Sequence, residues 1–184
     1  MSIFKDSCIV IKKKKLSSGE ILYTLFSKEY GKVVCSKKIS AKEKPIDTGN
    51  LIHTEISCKQ SRDIHSIRNI HIKKQLLTDT LSFNIIHNYL ELVAFLDQKL
   101  PDGMPSQKIF ECIETLLSKD TISEEKILLC SLKIQQLLGI LPENHRDINI
   151  SKILRFIHEN PSQKVLLLKG ISEEVMGELR GLIQ

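Results

Sequence analysis

Residues 19–32 read Gly19-Glu20-Ile21-Leu22-Tyr23-Thr24-Leu25-Phe26-Ser27-Lys28-Glu29-Tyr30-Gly31-Lys32. Two polar turns, each holding a glycine, bracket a segment rich in Ile, Tyr, Thr and Phe. Glycine reaches positive φ without a Cβ clash, which tight turns demand. β-branched and aromatic side chains suit a pleated surface. The stretch therefore predicts a short strand with a reversal at each end, and hence a strand on either side. Upstream, Ser7 to Lys15 carries Cys8-Ile9-Val10-Ile11 and ends in Lys12-Lys13-Lys14-Lys15. Downstream, Lys32 to Lys38 is built on Val33-Val34-Cys35. A lysine-rich loop from Ile39 to Asn50 follows, broken by Pro45 and Gly49. Leu51 to Lys59 puts Ile52, Thr54, Ile56 and Cys58 on one face, and Ser66 to Ile72 supplies Ile67, Ile70 and Ile72. A meander of five short strands leaves bare edges unless it closes or is covered. A five-stranded OB-type barrel fits this number and length, with an SH3-like barrel as the competing closure.

After about Lys74 the apolar spacing turns helical. Leu76, Leu77, Leu81, Ile85, Tyr89, Leu92, Val93 and Leu96 recur at steps of three and four, until Pro101-Asp102-Gly103. Further helices are expected over Ser106–Ser118, from Ser123 to Gly139, over Ile150–Glu159 and over Ser172–Ile183. Ser106 is a fitting N-cap, acidic first turns follow Ser123 and Ser172, and Pro142 comes just past a helix end. Val165-Leu166-Leu167-Leu168 fits either type. The expected class is α+β: an OB-type barrel over residues 1–74, then an all-α helical domain over residues 75–184.

The 184 residues are 41% hydrophobic and 27% charged, which excludes a disordered chain because the apolar mass can offset chain entropy. No run of about 18 apolar residues exists, and the start lacks the basic and apolar regions of a signal peptide. A soluble, cytoplasmic protein without membrane association is expected. The cysteines, Cys8, Cys35, Cys58, Cys112 and Cys130, are widely spaced and mostly sit in apolar runs, as buried reduced thiols do. Neither they nor the six scattered histidines have metal-ligand spacing. No phosphate-cradling glycine pattern, Gly-x-Ser-x-Gly or His-Glu-x-x-His occurs. The expectation is a protein without catalytic residues, metal or cofactor.

Charge divides unevenly. Residues 1–75 hold 16 Lys/Arg against 7 Asp/Glu, a net +9, while residues 76–184 hold 11 against 15, a net −4. Such asymmetry points to an anionic partner for the first half. Lys12, Lys13, Lys14 and Lys15 close the first strand; Lys37, Lys38, Lys42 and Lys44 follow the third. In an up-and-down order both clusters fall at one end of the sheet, where a phosphate backbone could run. Tyr23 and Phe26 lie on opposite faces of their strand, so at least one is core. Phe26 is the expected core residue, with Tyr23 or Tyr30 as a stacking platform for a base.

The Gly19–Lys32 segment resembles the turn-strand-turn of the RecO recombination mediator family, with its Glu-bearing turn, Thr-Leu-Phe strand and Glu-x-Gly-Lys turn. Leu137-Leu138-Gly139-Ile140-Leu141-Pro142 is similar to that family's helix end. Barrel first and helices afterwards is also the family's order. Counting on from Gly31-Lys32 puts Lys38 and Lys42 on its basic positions, with Ile39 in place of its glycine. Glu143-Asn144-His145-Arg146-Asp147 lacks the cysteine knuckle of many members, so no zinc is expected. The chain stops sooner after the Ser172 helix than is usual in the family. The resemblance implies a non-enzymatic mediator of DNA repair and recombination. Such proteins bind single- and double-stranded DNA through the barrel, anneal strands coated by single-strand-binding protein, and help load a recombinase with a RecR partner. It also implies a site for the acidic tail of single-strand-binding protein on the helices, where Lys133, Arg146, Lys152 and Arg155 are the candidate contacts. Two other classes compete: an RNA-binding OB module, and a protein adaptor that binds no nucleic acid.

Overall fold

The computed structural model describes residues 2–38, 46–58, 63–75, 81–119 and 121–183. Five strands come first: β1 (Ser2–Lys15), β2 (Glu20–Ser27), β3 (Gly31–Lys38), β4 (Leu51–Cys58) and β5 (Ile64–Lys74). Six helices follow: α1 (Phe83–Lys99), α2 (Gln107–Leu117), α3 (Glu124–Leu137), α4 (Ile148–Glu159), α5 (Ser162–Val165) and α6 (Glu173–Arg180). The layout is α+β, as expected. Leu76 and Leu77, expected at the start of the first helix, lie outside the described residues. Val165 ends the short α5 rather than starting a strand.

The strands pair in the order β1-β2-β3-β5-β4, and β4 returns to β1, so the sheet closes on itself. The first three strands run up and down. β5 then enters between β3 and β4, parallel to β3 and antiparallel to β4. β1 starts five residues earlier than expected, because Ser2 to Ile9 is paired along β4 while Cys8 to Lys15 is paired along β2. The inward row holds Cys8, Val10, Ile21, Tyr23, Leu25, Cys35, Ile52, Ile56 and Ile67, closed by Ile46 from the loop before β4. Burying each large apolar side chain of this set contributes roughly 1.5–3 kcal/mol.

The last three residues of β2, Leu25 to Ser27, are buried on both faces. Tyr23 and Leu25 point inward, and Phe26 points out against the ring of Phe110, centroids 5.7 Å apart. α1 belongs to the same compact unit. Its Tyr89 hydroxyl donates to the Gly49 carbonyl at 2.8 Å, and the Asp97 backbone oxygen accepts from Lys32 Nζ at 2.9 Å. The change from strand to helix falls beyond Lys74, near the expected place, but the division by packing falls between Phe110 and Glu111. The second unit, Glu111–Gln184, is organised around α3, whose residues Ile127 to Gln135 are all buried.

One buried acid fixes the β2–β3 reversal. Asp6 accepts from the Ser27 hydroxyl, from the Ser7 backbone N–H at 2.7 Å and from the Glu29 backbone N–H at 3.0 Å. Gly31 ends that reversal at φ +72, where a Cβ would stand 2.3 Å from the Met104 carbonyl carbon and oxygen. Gly19, at φ +80 in the β1–β2 turn, has open space around it. Gly19→Ala should therefore cost about 1–2 kcal/mol of backbone strain. Gly31→Ala should cost at least about 1–3 kcal/mol more, because rigid backbone has to move. Urea unfolding of the two variants checks the ordering, and equal losses would refute it.

Candidate nucleic-acid interface

Register sets the rim. Lys15 and Lys37 both lie opposite Ile21, on either side of β2, and Lys38 lies opposite Glu20. Neighbouring strands are about 4.8 Å apart, so the two lysine-bearing strand ends are separated by about 10 Å. The end of β1 and the end of β3 are thus adjacent, as the up-and-down reading of the first three strands expects. Lys42 and Lys44 lie outside the described residues.

Alternation sorts the side chains. Lys13, Lys15 and Lys37 share the face of Tyr23 and Ile21 and stand at the mouth of the barrel. Lys12 and Lys14 lie on the outer face, opposite Thr24 and Leu22. Carboxylates engage part of the set: Lys12 Nζ is 3.6 Å from Asp97 and Lys13 Nζ is 2.5 Å from Asp47. Lys14, Lys15 and Lys38 are exposed and form no ion pair among the described residues. Lys37 is half-buried.

A groove continues the rim. β3 and β5 pair only from Val34↔Ile64 to Ser36↔Ser66; beyond that β5 stays with β4 and leaves β3. The gap is an open groove of about 610 Å³. Its polar lining includes Lys37, Lys38, Arg68, Ser36 and Ser66, against one carboxylate among the described residues, Glu20. Arg68 is a site residue that sequence reading missed. Its only signal there is charge, in a strand where nothing announces the splay that exposes it.

The aromatic expectation fails at Tyr23. Its ring is wholly buried in the inward row and offers no stacking surface. Tyr30 is 44% exposed but lies in the β2–β3 turn, at the end opposite the lysines, with its ring against Phe4 at 3.8 Å. Phosphate contacts, not base stacking, are what this rim can make.

In the helical unit the four candidate cations separate. Lys133 is buried, and its ammonium donates to the Ile157 carbonyl at 2.8 Å and to Gln136 Oε1 at 2.7 Å. It cannot meet a docked tail, because its side chain is spent tying α3 to α4. Arg146, Lys152 and Arg155 are exposed, the last two on α4 one turn apart.

Two thiols of the sheet are quiet. Cys8 and Cys35 are buried; burial pushes Cys35 up to about 12 and raises Cys8 well above the usual range, with Asp6 adding to the effect. Among the described residues no group of three or more His, Cys, Asp and Glu side chains is gathered to hold a metal. Likewise, no helix there is long and apolar enough to cross a membrane. Comparison with known families finds no family model that matches the chain, and comparison with curated proteins finds no matching relative.

Asp147 caps α4, accepting from the backbone N–H groups of Asn149 at 2.7 Å and Ile150 at 3.0 Å. Those bonds, Ile150 first, hold its carboxyl below the usual carboxylate range. A depressed folded-state value means the cap stabilises α4 above the ordinary carboxylate range, and the benefit is lost as pH falls through the lowered value. Asp147→Asn should remove this acid limb: amide exchange protection of α4 should differ less between pH 6 and pH 3 than in the parent. An unchanged pH response would show that the cap is not its source.

Proposed function

We propose that the protein is a non-enzymatic nucleic-acid-binding mediator of the RecO type, acting on single- and double-stranded DNA in repair and recombination. The observation that carries the reading is the register that brings Lys14, Lys15, Lys37 and Lys38 to one rim, continuous with a groove containing Arg68. The strand order β1-β2-β3-β5-β4, with β3 parallel to β5, supports an OB-type barrel, a fold whose surface strands bind oligonucleotides. The motif resemblance to RecO supports DNA as the polymer and the cytoplasm as the compartment.

The mechanism is electrostatic. Two nucleic-acid strands repel through their phosphates. A row of ammonium and guanidinium groups placed between them displaces condensed counterions and lowers that repulsion, so base pairing proceeds. No bond is broken, and no cofactor takes part. Because the contacts go to phosphates, binding is strongly salt-dependent and weakly sequence-specific. Arg146, Lys152 and Arg155 remain the candidate contacts for the acidic tail of single-strand-binding protein, and a RecR-like partner belongs to the same reading.

Replacing Lys14, Lys15, Lys38 and Arg68 together by Gln should lower the slope of log K against log salt for a single-stranded oligonucleotide by about 3–4. Replacing Lys12 and Lys13, which already face carboxylates, should lower it by about 1 at most. Fluorescence anisotropy over a salt series reads both, with the same oligonucleotide made as RNA alongside. An unaltered slope in the fourfold variant would refute the rim. Tighter binding of the RNA would favour the RNA-module reading instead.

A further inference from the structure

We propose that Ser7, His53, His71 and Lys73, on the outer face of β1, β4 and β5, form a phosphate-binding site separate from the lysine rim. The phosphate is assigned to a nucleic-acid backbone. That source rests on the function proposed above; the site itself does not.

The three strands bring these residues into one row. Ser7 lies opposite His53, and His53 lies opposite His71. Side chains directly opposite in an antiparallel pair have Cβ atoms about 4.5–5.5 Å apart. Lys73, two residues on from His71, is unmatched at a second slip in the β4–β5 register, and its ammonium reaches the row by donating to Ser7 Oγ at 2.9 Å. Ser7 Oγ is also 3.5 Å from His53 Nδ1. His71 and Lys73 are exposed, and Ser7 and His53 half-buried, so a ligand can reach all four.

Charged neighbours leave the row cationic. On the same face Glu55 is engaged by Lys5 at 3.4 Å and by Asn69 Nδ2 at 2.8 Å, with Arg68 opposite it. Asp6 adjoins Ser7 in sequence but turns inward to Ser27 and Glu29. From the β2–β3 turn, Lys28 gives its backbone N–H to the Ser7 carbonyl, while its ammonium lies over the Phe110 ring. Asp47 and, on α1, Asp97 face Lys13 and Lys12. An ammonium held on Ser7 disfavours a metal cation and favours an anion.

The hydroxyl gives the row its logic. Beside a neutral imidazole, Ser7 accepts from Lys73 and can aim its own proton at His53 Nδ1. Once that imidazole carries a second proton, Ser7 accepts from both neighbours and its proton turns outward to a ligand oxygen. Histidine is the side chain that gains charge between pH 8 and pH 5. A phosphate would then meet an ammonium, a hydroxyl and two imidazolium groups, and its charge would relieve their mutual repulsion.

Inorganic phosphate is the probe for the site, read by the imidazole NMR signals of the full chain in a chloride background of constant ionic strength. His53 and His71 signals should move with phosphate at pH 6.0, and not with added chloride at the same ionic strength. His71→Gln, at an exposed position, should weaken the His53 response. An oligonucleotide probes the source: its salt slope should be steeper by about 1–2 at pH 6.0 than at pH 7.5, and equal at the two pH values in His53→Gln/His71→Gln. Histidine signals indifferent to phosphate at pH 6.0 would overturn the site. Signals that respond, with an oligonucleotide slope that does not change with pH, would overturn the backbone assignment and leave free phosphate as the ligand. The phosphate response should persist in the rim variant, and its loss there would overturn the separation of the two sites.

Discussion

The double pairing of β1 is the constraint on which the rest of this fold depends. The strand hydrogen-bonds β4 through its first half and β2 through its second, and only Cys8 and Ile9 sit opposite both. A straight 14-residue strand paired in this way would leave the sheet open instead of turning it back on itself. The register slips between Val10 and Lys12, and a bulge of this kind bends a strand and increases its twist. Asn50 and Gly49 exchange backbone hydrogen bonds with Val10, at 3.0 and 2.7 Å, so the loop before β4 holds the bend. Closure then follows, and with it the burial of the inward row. Past the bend β4 no longer accompanies β1, and Lys12 to Lys15 run out beside β2 alone. The same bend that closes the sheet frees its most basic segment.

Local pattern exposed much of this in the sequence. The Gly19–Gly31 segment predicts a strand between two reversals because turn glycines and a β-branched run are signals within reach of one another. Three consecutive antiparallel strands are enough to bring Lys15 beside Lys37, whatever β4 and β5 do later. What sequence pattern could not carry is pairing at long range. Ser2-Ile3-Phe4-Lys5-Asp6 is too polar to announce a strand and becomes one only beside β4, about fifty residues away. Tyr23 fails for a related reason. Period-two alternation assumes one wet face, but β2 is covered by the barrel interior on one side and by Phe110 on the other, so both Tyr23 and Phe26 are buried. Lys133 fails because α3 is buried around its whole circumference, and a lysine there reads as surface until its ammonium is seen to donate to the carbonyl of Ile157.

The cations left at the rim follow a physical ordering. Lys12, Lys13 and Lys32 stand where elements meet, and each has a carboxylate within 4 Å: Asp97, Asp47 and Asp102. Lys14, Lys15 and Lys38 stand at the exposed strand ends and form no ion pair among the described residues, although Lys38 lies opposite Glu20. Exposed ammonium groups about 10 Å apart repel weakly, because that separation is about a Debye length at physiological salt. The folded chain can therefore hold them clustered at little cost. A polyanion gains more from them than from paired lysines, since no existing ion pair has to be broken.

The bulge in β5 joins this rim to the strand's outer face. Arg68 and His71 are three residues apart, and in a regular strand an odd spacing puts side chains on opposite faces. Here the register slips between His53 and Glu55, where one residue of β5 is unmatched, and Asn69 sits at φ 50. Asparagine is among the few residues besides glycine that tolerate this left-handed conformation. The slip restores phase: Ile67 and Ile70 both turn to the core, while Arg68 and His71 turn outward; a second slip follows at Lys73, whose ammonium also lies outward, on Ser7. At about 3.3 Å per residue, Arg68 and Lys73 are some 16 Å apart along one strand. Arg68 belongs both to the groove wall and to this outward row. Without the extra residue, a cation at position 68 could line the groove only by turning His71 toward the apolar inward row. A bulge that costs one ladder position thus lets one strand carry Arg68 in the groove wall and His71 on its outer face, two cationic sites on one element.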